Sequence, residues 1–141
     1  MTSQLKYPKF DIKLKKENGE VLVFDTIRKN WFVCTPEEWV RQHVINFLIV
    51  VKKYPVSLFA IEKEIVLNDL KRRFDVVVYS TNLKPLVLIE CKAMYIEINE
   101  AVAEQAMRYN LVLNAPYFML TNGVVDFVFH ENKLSDLPQF C

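Results

Sequence analysis

The sequence predicts a single α/β domain in which a mixed central β-sheet is flanked by helices, with a β-hairpin in front of it. Three observations predict this class. Asn-Gly pairs at 18–19 and 122–123 each sit between strand-like segments. Thr35-Pro36-Glu37-Glu38 opens a helix, and three further strand-like segments separate that helix from a second one. The order is hairpin, α, three β, α, hairpin, and elements mixed in this way bury their apolar faces against one sheet.

In the N-terminal hairpin, Phe10, Ile12 and Leu14 alternate with charged residues, as a half-exposed strand does. Asn18-Gly19 suits the positive-φ turn that would join Phe10–Lys15 to Val21–Phe24. The first helix has Thr35 as N-cap, Pro36 at its first position and Glu38 closing a capping box. Val40, Val44, Phe47 or Leu48, and Val51 then recur at helical spacing until Tyr54-Pro55 ends the run. Strands are expected at Leu58–Val66, Phe74–Tyr79 and Leu86–Lys92, with a turn from Asn82 to Pro85. A second helix is expected from about Asn99 to Leu113, stopped by Asn114-Ala115-Pro116. Asn122-Gly123 would then join Tyr117–Thr121 to Val124–Phe129. Residues 1–34 form the hairpin extension on this reading, and 35–130 the core of one domain spanning 1–141.

A chain of 141 residues that is 52% hydrophobic can bury a real core and is not disordered. Its longest apolar runs, Phe47–Val51 and Leu86–Ile89, fall far short of the roughly 18 residues of a membrane span. The stretch Met1–Lys16 is polar and Lys-rich, so no secretory leader is expected. Cys34, Cys91 and Cys141 lack metal-ligand spacing, and free thiols in a reducing cytoplasm are the expectation. The net charge of +1 decides nothing about nucleic acid, because an acidic site can mask a local basic surface.

The informative stretch is Phe74-Asp75, then fourteen residues, then Glu90-Cys91-Lys92. Strand side chains alternate, so Glu90 and Lys92 share a face and Cys91 takes the other. Asp75 interrupts the apolar run Phe74, Val76, Val77, Val78, and Glu90 follows Leu86–Ile89. Charges set into such strands are costly unless paired, solvated or bound to an ion. Two carboxylates and a lysine on adjoining strands suit phosphodiester hydrolysis: Asp75 and Glu90 as ligands of Mg²⁺, Lys92 on the attacking water or the developing charge. Solvated strand ends, with Lys92 paired to one of them, would give the same pattern.

The combination adds to this. Phe74-Asp75 with Ile89-Glu90-Cys91-Lys92-Ala93 resembles the signature of the PD-(D/E)XK nuclease superfamily, with Phe where Pro often stands. Thr35-Pro36-Glu37-Glu38-Trp39-Val40-Arg41-Gln42 is similar to the segment preceding this motif in the amino-terminal domains of type I restriction enzyme motor subunits. Phe24-Asp25-Thr26-Ile27-Arg28-Lys29 is similar to their upstream hairpin. The resemblance spans roughly Val21 to Phe129. It implies a restriction-endonuclease-like α-β-β-β-α-β core and a Mg²⁺-dependent deoxyribonuclease, with Mn²⁺ as an alternative ion.

It also implies an acidic residue on the first helix that completes the metal site. Glu37 and Glu38 compete for that role. Glu37 lies three residues before Val40 and seven before Val44, toward the buried stripe, whereas capping already explains Glu38. Glu37 is therefore favoured; Glu38→Ala should cost on the order of 1 kcal/mol as a lost cap. Arg41 would pair with Glu37 or contact phosphate. Gln105 and Tyr109, four apart on one helix face, match the Gln-x-x-x-Tyr motif of the exonuclease-like branch, which implies DNA contact; an ordinary amphipathic helix gives the same spacing. Lys52-Lys53 and Lys71-Arg72-Arg73 are solvated surface or backbone contacts to DNA. His43 and His130 are expected to be solvated, and Trp31, Trp39 and the phenylalanines to be core. The rival to a nuclease is a non-catalytic DNA- or protein-binding module on the same fold. No GxxxxGK[ST] sequence occurs, so a motor is expected only from a separately encoded helicase or restriction-system subunit.

Overall fold

A computed structural model describes residues 5–140. The strands β1 (Leu14–Glu17), β2 (Glu20–Asp25) and β3 (Asn30–Val33) form a small antiparallel sheet. Asn18 and Gly19 both have positive φ, 51° and 81°, and pair Glu17 with Glu20 as the turn chemistry predicts. The extension is nevertheless three strands and not a hairpin, and its first strand begins at Leu14, not Phe10. The turn into β3 has no glycine. Asp25 Oδ1 makes it by accepting from the Ile27 and Arg28 amides at 2.7 and 3.0 Å, the local bonding at which Asp excels.

The main sheet has the order β4-β5-β6-β7-β8-β9: Phe59–Leu67, Leu70–Tyr79, Pro85–Cys91, Tyr117–Thr121, Asp126–His130 and Lys133–Ser135. Only β6 and β7 run parallel, and helix α2 (Glu100–Tyr109) makes their crossover. Helix α1 (Pro36–Asn46) precedes β4 and continues into one π-helical turn, Phe47–Val51. The expected α-β-β-β-α-β order is present, extended by β8 and β9. Two hairpins escaped the sequence reading because their turns lack glycine: Asn68-Asp69 joins β4 to β5, and Glu131-Asn132 joins β8 to β9. All four residues are left-handed, which Asn and Asp tolerate best. Helix α2 is shorter than expected. It stops at Tyr109, where the Asn110 side chain donates back to the Ala106 carbonyl at 2.9 Å, and a 3₁₀ turn follows at Leu111–Leu113.

The sheet is sandwiched. Val40 and Val44 of α1 and Leu48 of the π-helical turn pack with Val76, Val87 and Ile89 on one face. Ala103 and Met107 of α2 pack with Val77, Leu88, Phe118 and Phe129 on the other. Leu137, beyond β9, is buried in the α1-side cluster. No disulfide joins Cys34 and Cys91, both buried, and Cys141 lies outside the described residues. Among the described residues no helix is long and apolar enough to cross a membrane.

One irregularity positions the site. Phe74 and Val76 are two apart and should share a face, yet Phe74 packs on the α2 side and Val76 on the α1 side. The switch falls at Asp75, and at Glu62 on β4, where φ is +52°. Pairing resumes in the same register on either side, Ile61 with Val76 and Lys63 with Phe74. A twist through Glu62 and Asp75 thus lets both halves of β5 bury apolar side chains while freeing the carboxylate between them.

The second Asn-Gly pair is a wider loop than expected, with β8 starting at Asp126. Asn122 Oδ1 accepts from the Val124 and Val125 amides at 2.9 and 2.8 Å. Gly123 has φ +86°, and a Cβ there would stand 2.5 Å from Leu5 Cδ2, whereas one at Gly19 would meet open space. Alanine at either position should cost roughly 1–2 kcal/mol in left-handed strain. Gly123→Ala should cost visibly more than Gly19→Ala in thermal melts, because Leu5 must also move.

Candidate active site

Asp75 stands where the β5–β6 ladder ends. The last cross-strand pair is Val76 with Ile89, and the next β6 amide to need an acceptor, that of Cys91, donates to Asp75 Oδ2 at 2.7 Å. This leaves Oδ1, which faces Arg41 Nη1 at 3.6 Å. Burial pushes the Asp75 acid above the usual carboxylate range, with Glu62 adding to it, against the opposing pull of the Cys91 amide, Arg41 and Lys92.

Glu90 lies between Ile89 and Cys91, both in the α1-side core, and alternation turns its side chain away from that core. Burial raises its pKa and the Asp75 charge raises it further, with Lys92 opposing. Lys92 is exposed, and its amide continues the parallel ladder by donating to the Thr121 carbonyl at 2.8 Å. Glu37, at the start of α1, senses the same charges: burial and Asp75 raise its pKa, while Lys92 and Arg41 lower it. The charges of Asp75 and Lys92 therefore act on both Glu90 and Glu37. Cys91 is buried, and burial followed by the Asp75 charge holds its thiol well up, so it supplies no thiolate.

The two glutamates of α1 sit differently from the expectation. Glu37 is exposed at the helix edge, and Glu38 is the buried one, 4% exposed. Half of the capping box forms, with the Glu38 amide donating to Thr35 Oγ1 at 3.0 Å. The Glu38 carboxylate does not return the bond. It accepts instead from Arg41 Nε and Nη2 (3.0 and 2.6 Å), from Arg28 Nη2 (3.0 and 3.1 Å) and from Gln42 Nε2 (2.9 Å). Burial alone would raise the Glu38 acid, but these bonds and the Arg41 charge outweigh it and hold the group below the usual range. Arg41 consequently pairs with Glu38 and Asp75, not with Glu37, and it is buried.

Sequence reasoning missed Glu62. It bridges Arg28 (3.3 Å), Arg41 (3.5 Å) and Arg73 (2.5 Å) at the margin of the site. Within the alternating stretch Ala60–Ile65 it reads as an ordinary solvent-facing strand residue, and only its φ singles it out.

The remaining candidates divide. Gln105 and Tyr109 are exposed on α2, and the Arg72 guanidinium stacks on the Tyr109 ring at 3.9 Å. His43 is not solvated; it is buried, Nδ1 donates to the Trp39 carbonyl at 2.9 Å, and burial lowers its pKa. His130 stacks on Tyr117 with ring centroids 4.3 Å apart. Both are consumed by packing.

Among the described residues no three His, Cys, Asp or Glu side chains are grouped closely enough to hold a metal with protein ligands alone. A pair of half-buried carboxylates suits a hard cation such as Mg²⁺, which takes one or two carboxylates and fills its shell with water and phosphate oxygens. Asp75 Oδ1 and the Glu90 carboxylate are the donors that could serve. A family model described as the type I restriction enzyme R protein N terminus matches residues 36–140. No curated protein matches the chain.

Glu38→Ala should cost about 3–5 kcal/mol, the penalty for stranding a buried charge partner, and not the smaller cost of a lost cap. Glu37→Ala should stay within about 0.5 kcal/mol. Urea unfolding separates them. The Glu38 contribution is full above its ordinary unfolded value of 4.5 and is lost as pH falls through its lowered folded value, so the gap to Glu38→Ala should narrow in acid.

Proposed function

Because the chain belongs to the family of type I restriction enzyme R protein N-terminal domains, we propose that it is a restriction-system nuclease domain that cleaves DNA phosphodiester bonds with Mg²⁺. Asp75 and Glu90 hold the ion, and Mn²⁺ would occupy the same ligands. The observation that carries this reading is Asp75 at the ladder end, one oxygen fixed by the Cys91 amide, where its charge raises the pKa of Glu90 and Lys92 lowers that of both.

When bound, the ion supplies an acidified water and neutralises charge on the scissile phosphate. The protein supplies the orientation. The Cys91 amide fixes the Asp75 carboxylate, so its open oxygen is aimed without a conformational search. Lys92, two residues beyond Glu90 on the same strand face, reaches the attacking water or the phosphate oxygen that gains charge. Glu37, its pKa raised by burial and the Asp75 charge, completes the acidic rim, where it would help hold the ion or accept a proton. Gln105 and Tyr109, with Arg72 stacked on the tyrosine, offer a polar edge on α2 for the DNA backbone, and Arg41 a guanidinium for phosphate. A helicase or another restriction-system subunit is the partner this domain would serve.

The rival reading, a binding module that does not cut, is separated by Lys92. Lys92→Ala should lower the cleavage rate by roughly 10²-fold or more, while DNA affinity in Ca²⁺ falls far less, since one phosphate contact is one charge among several. The assay is cleavage of linear and circular DNA under Mg²⁺ and Mn²⁺. A wild-type protein that binds DNA and cuts no form of it would decide for the binding module.

A further inference from the structure

Arg41 is not held in place by Asp75. Its Nε and Nη2 grip Glu38, leaving Nη1 toward Asp75 Oδ1 at 3.6 Å. Glu38 is gripped in turn by Arg28, and Arg28 is fixed in the turn after β2, where its Nε donates to Asp25 Oδ2 at 2.8 Å. Gln42 Nε2 closes the network by donating to Asp25 Oδ2 and Glu38 Oε2 at 3.0 and 2.9 Å. Asp25, Glu38, Arg41 and Gln42 are all at least nine-tenths buried.

Burying such a network costs desolvation, and well-packed apolar side chains of similar volume would serve stability as well or better. Apolar side chains could not present one guanidinium nitrogen to the one Asp75 oxygen that the Cys91 amide leaves open. Building on the nuclease reading, we propose that Arg41 is a positioning residue which competes with the divalent cation for Asp75 Oδ1. The small N-terminal sheet aims it through Arg28 and Glu38. A DNA phosphate, a better guanidinium partner than a single carboxylate oxygen at 3.6 Å, draws Nη1 away and gives the oxygen to the ion. Metal uptake and DNA binding thereby favour each other, and the coupling is reciprocal.

The test is Mn²⁺ binding without DNA, followed by electron paramagnetic resonance and calorimetry on the whole chain. Asp75→Asn should abolish the site. Arg41→Gln should tighten Mn²⁺ by about tenfold, the weight of one unit charge removed from about 6 Å of a divalent ion in a watery site. Arg41→Lys, which keeps the charge, should stay near wild type. A residue with a merely structural role would loosen Asp75 and weaken the metal instead. Unchanged or weaker Mn²⁺ binding in Arg41→Gln, with Asp75→Asn still abolishing it, overturns the competition and leaves the nuclease reading standing. Mn²⁺ binding indifferent to Asp75→Asn overturns both. Should Arg41→Gln fail to fold, the wild-type protein answers: the Arg41 Nε–H resonance should shift as Mg²⁺ is titrated in, and a resonance that stays fixed while Mg²⁺ binds overturns the proposal.

Discussion

Glu38 is a carboxylate that folding removes almost wholly from water, and a stranded charge of that kind would cost several kcal/mol. The chain meets the demand from two directions at once. Arg41 and Gln42 come from the same helix, and Arg28 comes from the turn beyond β2. Because Arg28 is itself locked by Asp25, satisfying one buried carboxylate fixes how the small N-terminal sheet meets helix α1. Arg41 and Arg28 also reach Glu62 on β4, so the extension, the helix and the edge of the main sheet close on one charge cluster.

The site inherits its shape from that constraint and from the twist at Glu62 and Asp75. Were β5 regular, Phe74 and Val76 would crowd the same face and Asp75 would point into the layer opposite. The twist instead serves both apolar layers and sets the Asp75 carboxylate at the end of the β5–β6 ladder, where a side chain replaces a backbone carbonyl as the partner of the Cys91 amide. The carboxylate is dry enough to be raised in pKa yet has one oxygen uncommitted to the backbone. Such a group is a poor structural ornament and a serviceable ligand.

Much of this was legible from residues alone. The capped start at Thr35, the apolar strands with Asp75 and Glu90 set into them, and the Asn18-Gly19 turn are local signals, and local physics decided them. The hairpins at Asn68-Asp69 and Glu131-Asn132 were not legible, because left-handed Asn, Asp and Glu pairs carry no glycine to mark them. The roles of Glu37 and Glu38 were not legible either. Helical periodicity placed Glu37 toward the buried stripe, but the partner that buries Glu38 lies in another sheet, and no spacing within the helix announces Arg28. For the same reason the local choice pairs Arg41 with Glu37, when Glu38 grips it and its free Nη1 faces Asp75. His43 errs in the opposite sense: a lone polar residue in a helix reads as solvated, yet the helix carbonyl of Trp39 satisfies it in the interior.

On the proposed function, Asp75 and Glu90 share one cation at the end of the β5–β6 ladder. Anomalous diffraction from crystals grown with Mn²⁺ and a DNA oligonucleotide locates that ion directly. A single strong peak is expected, with oxygens of both Asp75 and Glu90 in its coordination shell and a phosphate oxygen opposite them. A peak bound elsewhere on the chain, or one that engages Asp75 while Glu90 turns to solvent, would contradict it.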